Sequence, residues 1–329
     1  MTEPVAFAEL WRGGQLESTH LGHAVICGAD GSVEAAWGDP EAVIFPRSSC
    51  KMLQALPLME SGAARNLTTK QLGFVCASHN GAAIHTQAAA AWLADLGLGE
   101  ADLRCGSHEP KDRAERDRLI KTDQSPCQLH NNCSGKHCGF LMLNKHLGGH
   151  ADYIEADHPV QMAVKAAFEE VTGETSPGYG IDGCSAPNYS CSVHGLARAM
   201  AYFATAKEGS DVRQDAAYRL AHGMRTHPEM VAGEGRSCTE LMRAMEGKVT
   251  IKTGAEAVFI AIIPELQKGI ALKVVDGGTR GAELAIAALL VKLGVLQADH
   301  PATRKYLNTV ERNWRGFETG SLRLAPGFA

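Results

Sequence analysis

Hydrophobic residues alternate with polar ones, or form short apolar runs, near both ends of the chain. Six segments fit β-strands: 6–11, 21–27, 32–37, 249–252, 257–263 and 270–275. The Asp30-Gly31 step between the second and third segments is typical of a hairpin turn. The pattern therefore predicts antiparallel β-structure at both ends.

Between these ends, apolar residues recur at the spacing of helices. Helices are predicted at 48–62, 68–75, 86–96, 111–121, 140–146, 159–171, 193–207, 214–225 and 238–245, with one more at 283–293. Thr68 and Gln71 have the spacing of a capping box, and Pro159 suits the first position of a helix. Segment 131–139 is expected to be a polar turn, and 178–190 a loop.

Strands at both ends with helices between them predict an α+β fold. We expect one antiparallel sheet made from both termini, helices packed on it, and a helical insertion. Residues 1–329 would form a single catalytic unit. Its sheet-rich part would be 1–45 and 249–329, and its mainly helical part 46–248.

Composition narrows the classes of protein that the chain can belong to. The 329 residues carry a net charge of −5 and no basic stretch, so nucleic acid is not an expected partner. No apolar run is long enough to span a bilayer, and the start of the sequence has no signal-peptide pattern. We therefore expect a cytoplasmic protein with no membrane partner, whose ten cysteines are mostly buried thiols.

The first candidate for chemistry is Phe45-Pro46-Arg47-Ser48-Ser49-Cys50-Lys51, at the start of a predicted helix. Ser48 and Lys51 are three residues apart and would share one helix face. A lysine that accepts the proton of a serine hydroxyl is one way to activate that hydroxyl as a nucleophile. An N-capped surface helix is the alternative reading of this motif.

Two further motifs follow in order along the chain. Ser78 lies in the predicted loop Cys76-Ala77-Ser78-His79-Asn80-Gly81, and Lys252 begins Lys252-Thr253-Gly254 at a strand end. This is the order of Ser-x-x-Lys, Ser-x-Asn and Lys-Thr-Gly in serine β-lactamases and penicillin-binding proteins. A lysine works as a base only when neutral, a form that burial and a second cation favour. Lys252 is a candidate for that cation, and Ser78 for a proton relay between the two lysines.

A cysteine- and histidine-rich segment forms a third candidate site. Asn131-Asn132-Cys133-Ser134-Gly135-Lys136-His137-Cys138 is followed downstream by Asp182-Gly183-Cys184. Cysteine and histidine so close together are typical of metal sites. Their spacing matches no zinc finger, however, so buried thiols near an active-site loop are the competing interpretation.

Together these motifs resemble the class 3, Rhizobium-type L-asparaginases, the Asparaginase II family. The resemblance also includes Gly180-Ile181-Asp182-Gly183-Cys184 and Lys252-Thr253-Gly254-Ala255-Glu256, and it spans most of the chain. It implies a serine β-lactamase-like fold and hydrolysis of L-asparagine to L-aspartate and ammonia. It also implies two Ser-Lys tandems, Ser48 with Lys51 and Ser78 with Lys252. Asn80 departs from the family pattern, where we expected a second serine.

The same resemblance implies a zinc ion that assists substrate binding rather than activating water. Its ligands would be Cys133, Lys136 and Cys184. A homodimer is also implied. By charge type, Arg47, His137 and Asp182 are candidates for holding the α-carboxylate and α-amino groups of the substrate.

Two other functions are kept as alternatives. The first is a β-lactamase or D-alanyl peptidase-like serine hydrolase, although its substrates lie outside the cytoplasm. The second is a zinc-dependent binding protein in which the Ser-Lys pairs are incidental.

Overall fold

The computed structural model describes residues 2–329. The strands of those residues are β1 (Val5–Arg12), β2 (Gln15–Cys27), β3 (Val33–Trp37), β4 (Val43–Ile44), β5 (Tyr179–Ile181), β6 (Pro187–Tyr189), β7 (Cys191–Ser192), β8 (Thr250–Gly254), β9 (Val258–Ile263), β10 (Lys268–Val274), β11 (Val310–Arg312) and β12 (Glu318–Leu324). The α-helices are α1 (Lys51–Glu60), α2 (Thr69–Val75), α3 (Ala83–Asp95), α4 (Arg113–Lys121), α5 (Ser134–Leu147), α6 (Pro159–Thr172), α7 (Val193–Thr205), α8 (Val212–Thr226), α9 (Pro228–Val231), α10 (Ser237–Ala244), α11 (Thr279–Lys292) and α12 (Pro301–Leu307).

The described chain divides into two compact units. The sheet unit comprises the residues up to Ser49, Cys191–Thr205 and Glu240–Ala329. The helical unit comprises Cys50–Ser190 and Ala206–Thr239. The sequence analysis assigned α7 to the mainly helical part, whereas the structure places it with the sheet.

The sheet unit is built on an antiparallel sheet of eight strands in the order β11-β12-β1-β2-β10-β9-β8, with β3 paired to β2. Strands from both ends of the chain meet where β2 pairs with β10, with Ile26 opposite Ile270. All six residues of β9 are buried, and successive side chains point to opposite faces, so both faces of the sheet are covered there. Helices α7 and α11 pack against β9 and β10. The predicted α+β class, with one antiparallel sheet made from both termini, is confirmed.

The helical unit has its own core. Helix α1 packs against α5, α6 and α8, and α2 packs against α5 and α8. Leu53 and Leu56 of α1 are fully buried. The predicted capping box is present: the Thr68 hydroxyl accepts the Gln71 N–H, and the Gln71 side chain accepts the Thr68 N–H. Pro159 is the first residue of α6, also as predicted.

Several local predictions were wrong. Segment 131–139 is not a turn throughout, because α5 begins at Ser134. Its polar residues pointed to a turn, but most of them are buried inside the helical unit. Segment 178–190 is not a simple loop, because β5 and β6 pair as a short hairpin within it. The sequence analysis also missed α12 and the last two strands.

Among residues 2–329, no helix is long and apolar enough to cross a membrane.

Candidate active site

Ser48 lies in a tight turn just before α1. Arg47, the residue before it, has a φ of 54°, which is an uncommon backbone conformation for a residue with a side chain. The Ser49 N–H and Ser49 Oγ both donate to the Pro46 carbonyl oxygen, at 3.2 and 2.7 Å. These bonds fix the turn, and α1 begins two residues later at Lys51.

The turn that carries Ser48 packs against β8 within the sheet unit. A Cβ atom added to Gly254 would lie 2.5 Å from the Pro46 carbonyl oxygen and 3.1 Å from the Ser49 nitrogen. Only a residue without a side chain allows the two backbones to approach so closely. The Lys-Thr-Gly motif therefore ends against the backbone of the Ser48 turn.

Lys252 lies on β8 and is fully buried. Its Nζ donates to the Thr253 carbonyl oxygen at 2.7 Å. The loop after the motif holds Glu256 and Ala257 at φ values of 58° and 57°. Such backbone strain in residues with side chains is concentrated at functional sites in many proteins.

In the helical unit, Lys51 is buried and its side-chain nitrogen contacts three groups. Nζ lies 3.0 Å from Ser78 Oγ and 3.1 Å from Cys133 Sγ, and it donates to the Ala77 carbonyl oxygen. The Ser78 N–H donates to the Val231 carbonyl oxygen at 2.8 Å. An amine and a hydroxyl in hydrogen-bond contact, away from water, are arranged so that a proton can pass between them.

Gly135 explains how the segment that carries Cys133 reaches the Ser78 loop. A Cβ atom at Gly135 would lie 2.3 Å from the Phe74 carbonyl oxygen, so the first turn of α5 touches the end of α2. The Asn131 side chain fixes the approach to α5 by donating to the Cys105 carbonyl oxygen at 2.8 Å and accepting the Cys133 N–H at 2.9 Å.

Two thiols and an amine are buried beside Lys51. Cys133, Lys136 and Cys184 are each no more than 3% exposed. Lys136 Nζ lies 3.0 Å from Cys184 Sγ. A hydrogen bond from Cys133 lowers the pKa of the Cys184 thiol well below its usual value, against the effect of burial, and Lys136 adds to the lowering. Burial alone would lower the pKa of Lys136, but the neighbouring Cys184 and Cys133 sulfurs raise it.

These donors can hold a metal ion as a set of two thiolates and one amine. Thiolate and nitrogen donors are the types that zinc prefers. Within residues 2–329, no group of three His, Cys, Asp or Glu side chains is placed to hold a metal ion.

The predicted substrate-binding residues lie in different places. His137 is fully buried on α5, and Asp182 lies in the turn between β5 and β6, where its Oδ1 accepts the Gly183 N–H at 2.8 Å. Asp182 and Lys136 both contribute to the electrostatic environment of His137. Arg47 is in the sheet unit, beside Ser48.

Asn80, where we expected a serine, stabilises the Ser78 loop. Its Oδ1 accepts the Ala82 N–H at 3.3 Å, and its backbone carbonyl accepts the Asp112 N–H at 2.9 Å. These bonds give Asn80 a structural place in the loop.

The sequence analysis missed two buried residues that link the motifs. His79 Nδ1 accepts the Gly81 N–H at 3.1 Å, so Nε2 carries the proton and donates to Ser134 Oγ at 2.9 Å. Burial keeps the pKa of His79 well below its usual value. The second missed residue is Tyr153, whose hydroxyl contacts His137. The only available signal was the position of His79, next to Ser78 in the sequence.

Comparison with solved structures finds matches at low sequence identity and with TM-scores below 0.5. Mglu in its native form is 12% identical, with 89% of this chain and 69% of that chain covered and a TM-score of 0.47. A candidate β-lactamase from Bacteroides dorei DSM 17855 is 10% identical, with 83% and 93% covered and a TM-score of 0.45. A β-lactamase from Mycobacterium bovis is 12% identical, with 84% and 95% covered and a TM-score of 0.38. Comparison with curated proteins gives no match.

The family model described as L-asparaginase II matches residues 8–324. The protein is thus a hydrolase of the class that acts on amides. It belongs to the L-asparaginase II family, which confirms the resemblance seen in its motifs.

Proposed function

We propose that the protein is an L-asparaginase that hydrolyses the side-chain amide of L-asparagine to L-aspartate and ammonia. The observation that carries the proposal is the buried contact of 3.0 Å between Lys51 Nζ and Ser78 Oγ, in a chain of the L-asparaginase II family. A buried amine held against a serine hydroxyl suits acyl transfer, because the amine can accept or return the hydroxyl proton.

In the proposed reaction, Ser48 attacks the side-chain amide carbon and Lys51 takes the proton of its hydroxyl. A bond forms between Ser48 Oγ and that carbon, and the carbon–nitrogen bond breaks. Ammonia leaves with a proton supplied through Ser78 and Lys252. Water then cleaves the ester, releases aspartate and returns a proton to Ser48.

Backbone donors would stabilise the tetrahedral oxyanion in this scheme. The Ser48 N–H and an N–H from the strand after Lys252 are the proposed pair. The support for this pair is the close approach of Gly254 to the Ser48 turn, which brings the two backbones together. Arg47, His137 and Asp182 are proposed to hold the α-carboxylate and α-amino groups.

We also propose that Cys133, Lys136 and Cys184 bind zinc. When bound, the metal would hold the substrate rather than generate hydroxide. The donor set fits, because both sulfurs and the amine are buried, and Lys136 Nζ already lies 3.0 Å from Cys184 Sγ. To bind, Lys136 must give up its proton, so zinc affinity should fall at low pH.

The test is ammonia release from L-asparagine by the purified protein and its variants. Ser48→Ala should lower kcat about 10³-fold or more, and Lys51→Met about 10²- to 10⁴-fold. Lys70→Met removes an exposed lysine of α2 and should leave the rate unchanged. Normal turnover by the Ser48→Ala variant, with an intact fold by circular dichroism, would end the proposal.

A further inference from the structure

Tyr153 has a fixed pattern of hydrogen bonds. Its side chain is fully buried, and its hydroxyl oxygen accepts the Arg104 backbone N–H at 2.9 Å. The other partner of the hydroxyl is His137 Nδ1, also at 2.9 Å. Because an N–H can only donate, the hydroxyl proton of Tyr153 has His137 Nδ1 as its acceptor.

This pattern decides the tautomer of His137. If Nδ1 carried the ring proton, the hydroxyl oxygen would accept from both N–H groups, and the Tyr153 proton and the bare Nε2 would both be buried without a partner, whereas a proton on Nε2 leaves only that one N–H unpaired. Nδ1 is therefore the acceptor, and the ring proton lies on Nε2. Among the described residues, that buried Nε2 has no hydrogen-bond partner.

The unpartnered donor lies in the region of the proposed substrate. His137 follows Lys136, whose Nζ lies 3.0 Å from Cys184 Sγ, and the His137 backbone N–H donates at 3.0 Å to the carbonyl oxygen of Cys133, whose Sγ lies 3.1 Å from Lys51 Nζ. A neutral Nε2–H can donate to a carboxylate oxygen, but it cannot bind an ammonium group, which has no acceptor. Of the two charged groups on the α-carbon of asparagine, His137 can therefore bind only the carboxylate, which leaves the ammonium for Asp182.

We propose that Tyr153 is a positioning residue that fixes His137 as the Nε2–H tautomer, and that this N–H binds the α-carboxylate of the substrate. The second half of the inference rests on the proposed function. The first half is a property of the free protein and can be tested without any turnover.

The tautomer is measured by two-bond ¹H–¹⁵N correlation spectra of protein labelled with ¹⁵N-histidine, with the His137 signals assigned through His137→Gln. We expect a protonated Nε2 and an unprotonated Nδ1. In Tyr153→Phe, which removes only the hydroxyl, signal from the Nδ1–H tautomer should appear. A proton on Nδ1 in the unmodified protein would overturn the inference, whatever the enzyme hydrolyses.

The carboxylate contact is measured by calorimetry with two ligands that differ in one group. L-Aspartate has the α-carboxylate, and β-alanine is the same molecule without it. Tyr153→Phe should weaken aspartate binding about 10-fold or more and leave β-alanine binding unchanged, since one hydrogen bond to a charged group is lost. Equal weakening of both ligands would mean that the hydroxyl only supports the fold, and would overturn the proposal.

Kinetics separate this inference from the proposed function. Tyr153→Phe should raise KM for asparagine about 10-fold or more and change kcat much less, because the lost contact is made in both ground and transition states. Tyr189→Phe is the matched control: this tyrosine is buried in the same unit, and its hydroxyl contacts the Gln161 carbonyl oxygen instead. If asparagine is not a substrate, the proposed function fails while the spectra still decide the tautomer.

Discussion

At the scale of single residues, the buried carboxylate of Glu115 shows how a buried charge is stabilised by specific partners. Glu115, on α4, is 5% exposed and accepts hydrogen bonds from Arg118 and His130, at 2.7 and 3.1 Å. The Arg118 hydrogen bonds lower the pKa of Glu115 below its usual value, and His130 adds to the lowering against burial. This carboxylate joins α4 to the turn that precedes the cysteine-rich segment.

The Glu115 contacts predict a pH dependence of stability. Because its pKa is lower in the folded than in the unfolded state, Glu115 contributes stability that is fully present above the unfolded value of 4.5. That contribution is lost as the pH falls through the folded-state value. Glu115→Gln should therefore lower the urea midpoint at pH 7, and the gap to the unmodified protein should narrow as the pH falls below 4.5.

The control for this experiment is Glu109→Gln, which removes an exposed carboxylate just before α4. This substitution should not change the urea midpoint appreciably at pH 7 or at pH 3. A Glu115→Gln gap that stays constant from pH 7 to pH 3 would show that Arg118 and His130 do not stabilise the ionised carboxylate.

The sequence could predict only those residues of the candidate site that lie in short motifs. Ser48, Lys51, Ser78 and Lys252 could be proposed as candidates because short motifs report residue type and order. Tyr153 was not, because a tyrosine carries no motif, and its contact with His137 joins residues 16 positions apart through packing. The contact of Lys51 with Cys133 likewise depends on tertiary packing, since the two residues are 82 positions apart.

At the scale of elements, the approach of β8 to the Ser48 turn is the most exacting feature of the site. Gly254→Ala would place a Cβ 2.5 Å from the Pro46 carbonyl oxygen, and backbone on both sides cannot yield easily. We expect a loss of unfolding free energy of about 1–3 kcal/mol. We also expect kcat to fall about 10²-fold, because the proposed oxyanion donors lie on these two backbones.

The measurements are urea unfolding and ammonia release from asparagine. Gly99→Ala is the control, because a Cβ at Gly99 meets no atom within 4 Å and the φ of Gly99 is negative. If Gly254→Ala retains full stability and activity, the close approach has no part in the site.

Elements with strong local signals were predicted well. The hairpin of β2 and β3, the capping box of α2 and the first residue of α6 all follow from turn and cap chemistry. The start of α5 was missed because Ser134, Lys136 and His137 are polar but buried. Polar residues are normally exposed, so a sequence pattern does not predict a helix start whose polar side chains are buried.

At the scale of the whole molecule, the antiparallel sheet made from both chain ends could be predicted because its strands alternate or are wholly apolar. Its final strands, β11 and β12, could not, since their residues are mostly half-buried or exposed. The single catalytic unit, the homodimer and the cytoplasmic location remain predictions.

The proposed zinc site gives a prediction that does not depend on activity. Protein purified without chelator should contain about one zinc per chain, because the proposed donors Cys133, Lys136 and Cys184 form one site. Cys184→Ser should lose most of that zinc, as measured by mass spectrometry of the metal content. Cys138→Ser should keep it, because the Cys138 sulfur, on the same helix as Lys136, instead contacts the Ala89 carbonyl oxygen. Equal zinc in both variants would contradict the proposed ligands.

The central claim is that Ser48 forms a covalent acyl intermediate with asparagine. It is tested most directly by treating the protein with an electrophilic diazoketone analogue of asparagine and locating the adduct by peptide mass spectrometry. The account predicts one adduct per chain, on Ser48, absent in Ser48→Ala and suppressed by excess L-aspartate. An adduct on another residue, or its persistence in Ser48→Ala, would contradict it.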